Sequence, residues 1–420
     1  MATFGYRYPW STSNTPDHVH AGSAPIRDFQ AILDASTRIV ELSDSLQQPH
    51  HSSIESVRCL IHESFSGRLP SEVLVFFEAL GSRPKLQKLF WNFHRRHYAP
   101  LPLQALSLCL IQASRLALLE VCGLELNGTN SDFTTLAASI QNHPSLEEIK
   151  ISNCRVPPEH LDQQQEYPLD ALVQSMATIP HLRRIVLQSS TQDSLGKLRP
   201  ESIALLMTTR AHNLQAMGLL GFSFQEKHLV AISNALCSSS SSSSLKELYL
   251  GNIQLGSKGD LALARMLRRQ EESSTTHNNT ASSLEYLDLQ FQPHESPIEI
   301  ARSLPHNTTL KHFFVHGNLT QVSQQAFAHA IQQNYHLQSL ELMNGSPYLT
   351  EIRFYLKMNA LVGRAELLLE DNDNNNHGSR AKWVDKLVSQ RDDLSALFYL
   401  LSRNPLLCCV PISSISSTAR

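Results

Sequence analysis

Apolar residues recur along this chain in a short block, L-x-x-L-x-L, and the block itself recurs. Its clearest copies run through Leu146, Ile149 and Ile151; Leu245, Leu248 and Leu250; Leu284, Leu287 and Leu289; Leu310, Phe313 and Val315; and Leu337, Leu340 and Leu342. Weaker copies begin at Leu86, Leu116, Leu182 and Leu214, and a cryptic one runs through Ile54, Val57 and Cys59. The ten starting positions are 26 to 39 residues apart. Within each block the last apolar residues alternate with polar ones, the period of a strand with one face buried. The longest spacings hold polar insertions, Asp162 to Tyr167 and Glu271 to Ser283, and the serine run 238–244 reads as a surface loop.

Between the blocks the period changes to that of a helix. Phe133, Leu136, Ala137 and Ile140 form a stripe on one helical face. So do Leu169, Leu172, Val173 and Met176; Leu229, Ile232, Ala235 and Leu236; Leu261, Ala264 and Leu267; and Ala326, Phe327, Ala330 and Ile331. Each unit is therefore strand, loop, helix and return. A unit of this kind cannot bury both apolar faces alone, so the units must stack.

On these residues the chain resembles the ribonuclease-inhibitor-like class of leucine-rich repeats, whose signature is L-x-x-L-x-L-x-x-N/C-x-L. Leu146, Ile149, Ile151, Cys154 and Val156 match it throughout, and Leu310, Phe313, Val315 and Asn318 match as far as the N/C site. Elsewhere that site is occupied by Leu124, Ser190, Phe222, Ile253, Gln292 or Gly345. The resemblance covers residues 54–345. It implies an α/β leucine-rich-repeat solenoid, a curved horseshoe with parallel strands on the concave face and helices on the convex face. Curvature has a simple cause: bonded strands lie about 4.8 Å apart, whereas packed helices need roughly 8–10 Å.

Residues between the apolar ones then point into the hollow. The C-terminal half gathers Tyr249, Tyr286, Phe314, His312 and His316 there, with Arg184, Glu247, Asp288 and Glu341 beside them. Aromatic side chains ringed by charge have the composition of a protein-binding hot spot. The alternative is that these side chains cover one another on a solvated sheet.

A stack of repeats needs covered ends. Residues 25–53, with Ile26, Phe29, Ile32, Leu33, Ile39 and Leu42, are expected to form a helical N-terminal cap, and residues 346–410 a helical C-terminal cap. The C-terminal cap would carry Ile352, Tyr355, Leu356 and Met358, then Trp383 and Leu387 to Leu401 after the loop Asp371 to Gly378. Residues 1–24 and 411–420 read as disordered.

Bulk properties narrow the function. The 420 residues carry 35 basic and 38 acidic side chains, a net charge of −3 that gives no general pull toward nucleic acid or anionic membrane. The opening residues lack the continuous apolar core of a secretory signal, and no apolar run approaches the roughly 20 residues of a membrane span. Seven scattered cysteines without a C-x-x-C pair suit a reducing cytoplasmic or nuclear compartment. No phosphate loop, zinc helix or nucleophile elbow occurs. His94-Arg95-Arg96-His97 offers two imidazoles but no third metal ligand. Two special cases arise. Leu69-Pro70-Ser71-Glu72-Val73-Leu74 resembles the opening of an F-box, the mark of a ubiquitin-ligase substrate receptor, although a helix with Pro70 in its first turn explains the same residues. One branch of this repeat class activates a small GTPase, commonly with an acidic tail that Ser416 to Arg420 does not provide. The expectation is a non-enzymatic, monomeric scaffold with a protein partner and without cofactor, metal, nucleic acid or membrane.

Overall fold

In the computed structural model, residues 28–33, 39–47, 53–61, 70–93, 99–127, 130–154, 168–189, 198–209, 213–238, 244–272, 284–334, 336–342, 346–357 and 359 are described. The expected disordered ends 1–24 and 411–420, the cap beyond residue 359, the segment 94–97 and most of the polar insertions lie outside them.

The strands are β1 (Asp28–Leu33), β2 (Ser56–Ile61), β3 (Lys88–Phe93), β4 (Ala99–Pro102), β5 (Leu118–Cys122), β6 (Leu124–Asn127), β7 (Glu148–Cys154), β8 (Arg184–Ser189), β9 (Ala216–Leu220), β10 (Glu247–Ile253), β11 (Tyr286–Phe291), β12 (His312–His316) and β13 (Ser339–Leu342). Alternating with them are α1 (Ile39–Gln47), α2 (Pro70–Gly81), α3 (Leu103–Gln112), α4 (Asn130–Gln141), α5 (Pro168–Thr178), α6 (Pro200–Thr209), α7 (Glu226–Ser238), α8 (Gly256–Glu272), α9 (Ile298–Ser303) and α10 (Gln321–Gln333). All strands but two form one 11-stranded sheet in chain order, and β4 pairs with β6 separately. Every pairing is parallel, and the large sheet follows chain order with only β4 and β6 left out of it, as between β10 and β11 or β11 and β12. The sheet is open, and each helix packs on the next, which is the leucine-rich-repeat solenoid.

Each of the ten L-x-x-L-x-L blocks forms a strand of the large sheet. The apolar triplets point inward: Leu245, Leu248 and Leu250 are buried, as are Ile54, Val57 and Cys59 in the cryptic copy. The helical stripes close the core from behind, with one shift in α8. There Leu261 points to solvent, and Leu263, Ala264, Met266 and Leu267 face the sheet.

The N-terminal segment departs from the expected helical cap. Asp28–Leu33 is a strand, paired with all six residues of β2, and among the described residues of this segment Ile39–Gln47 is the helix. Phe29 aligns with Val57 and Ala31 with Cys59, the inward positions of the next repeat. At the other end a helix over 349–357 follows β13, burying Ile352 and Leu356. Of the F-box-like residues, Pro70 to Leu74 open α2, which lies between α1 and α3 in the convex layer. Its Phe76 and Phe77 pack on Trp91 of β3, the latter with ring centroids 4.7 Å apart.

Two polar devices tie successive repeats together. On the convex side an acid near the N-terminal end of one helix accepts backbone N–H groups at the start of the next. Asp170 accepts from Arg199 just before α6, Glu226 from Lys258 in α8, and Asp260 from both Glu299 and Ile300 in α9 at 2.9 Å. A helix start leaves such donors without intrahelical partners and carries positive partial charge. Burial pushes the Asp260 carboxyl up, and the backbone donors pull it back.

The second device lies between helix and strand. The amide nitrogen of Asn307 donates to Leu267 O, and that of Asn334 donates to Leu304 O and Asn307 O. Asn359 continues the series by donating to Asn334 O and Leu337 O. His143 takes the same place earlier in the chain. Its Nε2 lies 3.0 Å from Ala113 O, and its Nδ1 accepts from Ser145 N–H. His228 is held likewise, between Leu198 O and Gln225 N–H.

Because Nδ1 accepts a backbone donor in both, each imidazole is neutral with its proton on Nε2. Burial lowers the pKa of both from the ordinary 6.5. The unfolded chain therefore binds protons that the fold refuses, so stability rises with pH across this range. The contribution of these groups is complete above 6.5 and is lost as pH falls from there toward the folded-state values. The thermal midpoint of the native chain is expected to drop on acidification below that point. The His143→Gln/His228→Asn double variant should show a flatter profile, and an identical slope in both proteins would remove these histidines as the cause.

Candidate functional site

Strands β10 to β13 carry the expected cluster on the face away from the helices. Register places Glu247, Tyr286, His312 and Ser339 in one row, and Tyr249, Asp288, Phe314 and Glu341 in the next. Large rings in both rows meet diagonally. Tyr249 and Tyr286 have centroids 4.7 Å apart, Tyr286 and Phe314 stack at 5.0 Å, and Phe314 and His316 lie parallel at 6.5 Å. His312 flanks Tyr286 at 6.1 Å, and its Nδ1 is 2.8 Å from the Ser339 hydroxyl.

Exposure separates these residues into a floor and a rim. Tyr249 is 1% exposed and Asp288 8%, so the expectation that both are displayed in the hollow is corrected. For Tyr249 the cause is its neighbour: β9 presents Ala216 and Gly218, whose missing bulk lets Val186 and Tyr249 close over the strand, while Asp288 sits between Tyr249 and Phe314. Across the same gap Arg184 reaches Glu247 at 3.9 Å, and the Tyr249 hydroxyl donates to Glu247 Oε2 at 3.3 Å. Tyr286, His312, Phe314 and His316 are half-buried, and Glu341 is exposed.

The electrostatics follow from this packing. Burial, then the Asp288 carboxylate, pushes the Tyr286 hydroxyl up, so it stays protonated at neutral pH and can donate. Burial, then Lys311, lowers the His312 pKa, which keeps this imidazole neutral. His316 Nε2 lies 3.3 Å from Asp288 Oδ1, an ion pair when the imidazole is protonated. Among the described residues no group of three or more His, Cys, Asp or Glu side chains could hold a metal ion.

All nine expected residues lie on this side of the sheet, with Arg184 joined to the rest through Glu247. Pattern reading missed Ser339 and the small residues of β9. The signal for the latter was available, since Ala216 and Gly218 are the smallest side chains in their rows.

No protein-family model matches the chain, and no curated protein does. Among solved structures it is similar to "Leiomodin-1 Actin-Binding Site 2 (ABS2)" at 20% identity, over 35% of this chain and 80% of that one, with a TM-score of 0.29. It is also similar to a chain of "Crystal structure of TLR13-ssRNA13 complex" at 13% identity, over 76% of this chain and 48% of that one, with a TM-score of 0.30. This chain thus spans about half the length of the second.

Proposed function

We propose that this chain is a non-enzymatic scaffold that holds a protein partner in the hollow of its sheet, over β10 to β13. The observation that carries the proposal is the set of half-buried rings, Tyr286, Phe314, His312 and His316, standing on a continuous sheet with Glu247 and Glu341 at the rim. Rings already packed against one another lose little side-chain freedom on binding, which is what makes aromatic residues effective anchors. The ribonuclease-inhibitor-like class fits the long repeats and the helices behind the strands, up to the 17 residues of α8. Cys59 and Cys109, buried and unpaired, suit a reducing cytoplasmic or nuclear location, where the scaffold would act as a monomer without a cofactor. Among the described residues no helix is long and apolar enough to cross a membrane.

The combined variant His312→Ala/Phe314→Ala/Glu341→Ala is expected to weaken capture of its protein partner roughly thirtyfold, the size of a hot-spot loss of about 2 kcal/mol. Lys88→Ala, at an exposed position of β3, should leave capture unchanged. Circular dichroism and thermal melting establish that both variants fold. Full partner recovery by the folded triple variant would show that this surface is not the binding face.

A further inference from the structure

The concave face changes its charge along the sheet. From β2 to β8 its outward positions carry Arg58, Lys88, Lys150 and Arg184 against Glu120 and Glu148. From β9 to β13 the same positions carry Glu247, Asp288 and Glu341 and neither lysine nor arginine. The rings are concentrated where the cations are missing.

The basic half shows how this sheet satisfies a phenylalanine flanked by charge. Arg58, Phe90 and Glu120 are in register on β2, β3 and β5, and the Arg58 guanidinium lies 4.6 Å over the Phe90 ring. Glu120 is in turn neutralised by Lys150 at 3.2 Å. On β11, β12 and β13 the equivalent trio is Asp288, Phe314 and Glu341. A carboxylate stands where the first trio has its arginine, and among the described residues no ion pair engages Glu341. The ring and the acids are present, and strands β9 to β13 add no lysine or arginine to these rows; Arg184 of β8 reaches Glu247 and His316 faces Asp288, which leaves Glu341 for a cation from outside.

We propose that this face takes an arginine-bearing segment of the partner protein, with a guanidinium against the Tyr286 and Phe314 rings and paired with Glu341. The proposal rests on the protein-binding function above. Arginine is the side chain that fits, because a planar guanidinium both stacks on a ring and bonds a carboxylate with two parallel N–H groups. A lysine ammonium satisfies the charge but not the ring and fork together. The same carboxylates repel the phosphates of a nucleic acid.

The probes are an oligoarginine peptide, an oligolysine peptide of equal length and oligouridine, titrated into the full chain by fluorescence anisotropy. Oligoarginine is expected to bind about fivefold more tightly than oligolysine, the scale of a cation–π contact at a partly exposed site. Phe314→Leu, which keeps all charges, should lower oligoarginine affinity by a similar factor of about five and oligolysine affinity less. Glu341→Gln, at an exposed position that the fold tolerates, should weaken both peptides, and Glu201→Gln on the convex side neither. Equal affinity for the two peptides, or oligoarginine binding indifferent to Phe314→Leu and Glu341→Gln, would reduce the interaction to general charge attraction and overturn the proposal. Oligouridine binding that depends on Phe314 would overturn it in favour of RNA. If the triple variant loses its protein partner while these peptide results fail, the scaffold function stands and only the arginine assignment falls. If the triple variant keeps its partner, both fall.

Discussion

Leu248→Asp is expected to lower stability by about 3–5 kcal/mol, the range for a buried charge left without a partner. Leu248 is 0% exposed, in register between Met217 on β9 and Leu287 on β11, each also fully buried. A carboxylate there would be buried in the apolar core beside Met217 and Leu287, with no cation at either register position. In a repeat stack each unit is stabilised mainly by its neighbours, so loss of the β10 unit should spread to β9 and β11 and broaden the urea transition. Glu247→Gln, one residue earlier and facing the hollow, is expected to stay within roughly 0.5 kcal/mol of the native chain. Two substitutions on adjacent residues would thus differ severalfold because alternation sends one side chain into the core. An unchanged unfolding midpoint for Leu248→Asp would mean that the inward assignment of this strand is wrong.

The ten-strand register was legible because it rests on a repeated constraint, in which three inward positions per strand must be apolar whatever the rest of the repeat does. Even the Ile54 copy, with cysteine as its third member, obeys it. The eleventh strand was missed for the same reason. Ile26, Phe29 and Ala31 follow the spacing, but alanine at the third position breaks the aliphatic triplet and leaves Ile32 and Leu33 to suggest a helix. In α8 the apolar residues run nearly all round the helix, so spacing alone could not separate inward Leu263 from exposed Leu261.

The site was legible as a list but not as a surface. Outward direction follows from alternation, whereas exposure depends on what the adjacent strand offers, and Tyr249 is covered because its neighbour on β9 is Gly218. The polar ladder was hidden more deeply. The family signature directs attention to asparagine after the strand, yet Asn318 at that position is exposed. Two of the buried asparagines, Asn307 and Asn334, stand three residues before the first leucine of a block, at Leu310 and Leu337. His143 occupies the same spacing before Leu146. Three residues are the distance over which a side-chain oxygen can bond the backbone of the next strand's entrance, a spacing that hydrophobic periodicity does not mark.

That entrance makes Asn334 the most exacting polar position in the C-terminal half. Its amide nitrogen serves two carbonyl groups, and its oxygen accepts from His336 N–H at 3.0 Å and Leu337 N–H at 2.7 Å. Asn334→Leu fills a similar volume but removes four hydrogen bonds to backbone groups around a side chain that is 2% exposed, with Leu304 O alone keeping a backbone donor from Asn307 N–H. Each buried group left unsatisfied costs about 1–3 kcal/mol, and partial relaxation should hold the total near 3–5 kcal/mol. The chain itself suggests the graded control, since an imidazole does this work at His143 with one donor and one acceptor. Asn334→His should therefore lose about half as much stability as Asn334→Leu, and Asn334→Asp, which keeps the acceptor but turns a charge on two carbonyls, should behave no better than leucine. Urea unfolding of the three variants gives the order directly. If leucine were tolerated as well as histidine, the hydrogen bonds would contribute nothing that packing alone does not, and the link between repeats at this turn would be apolar.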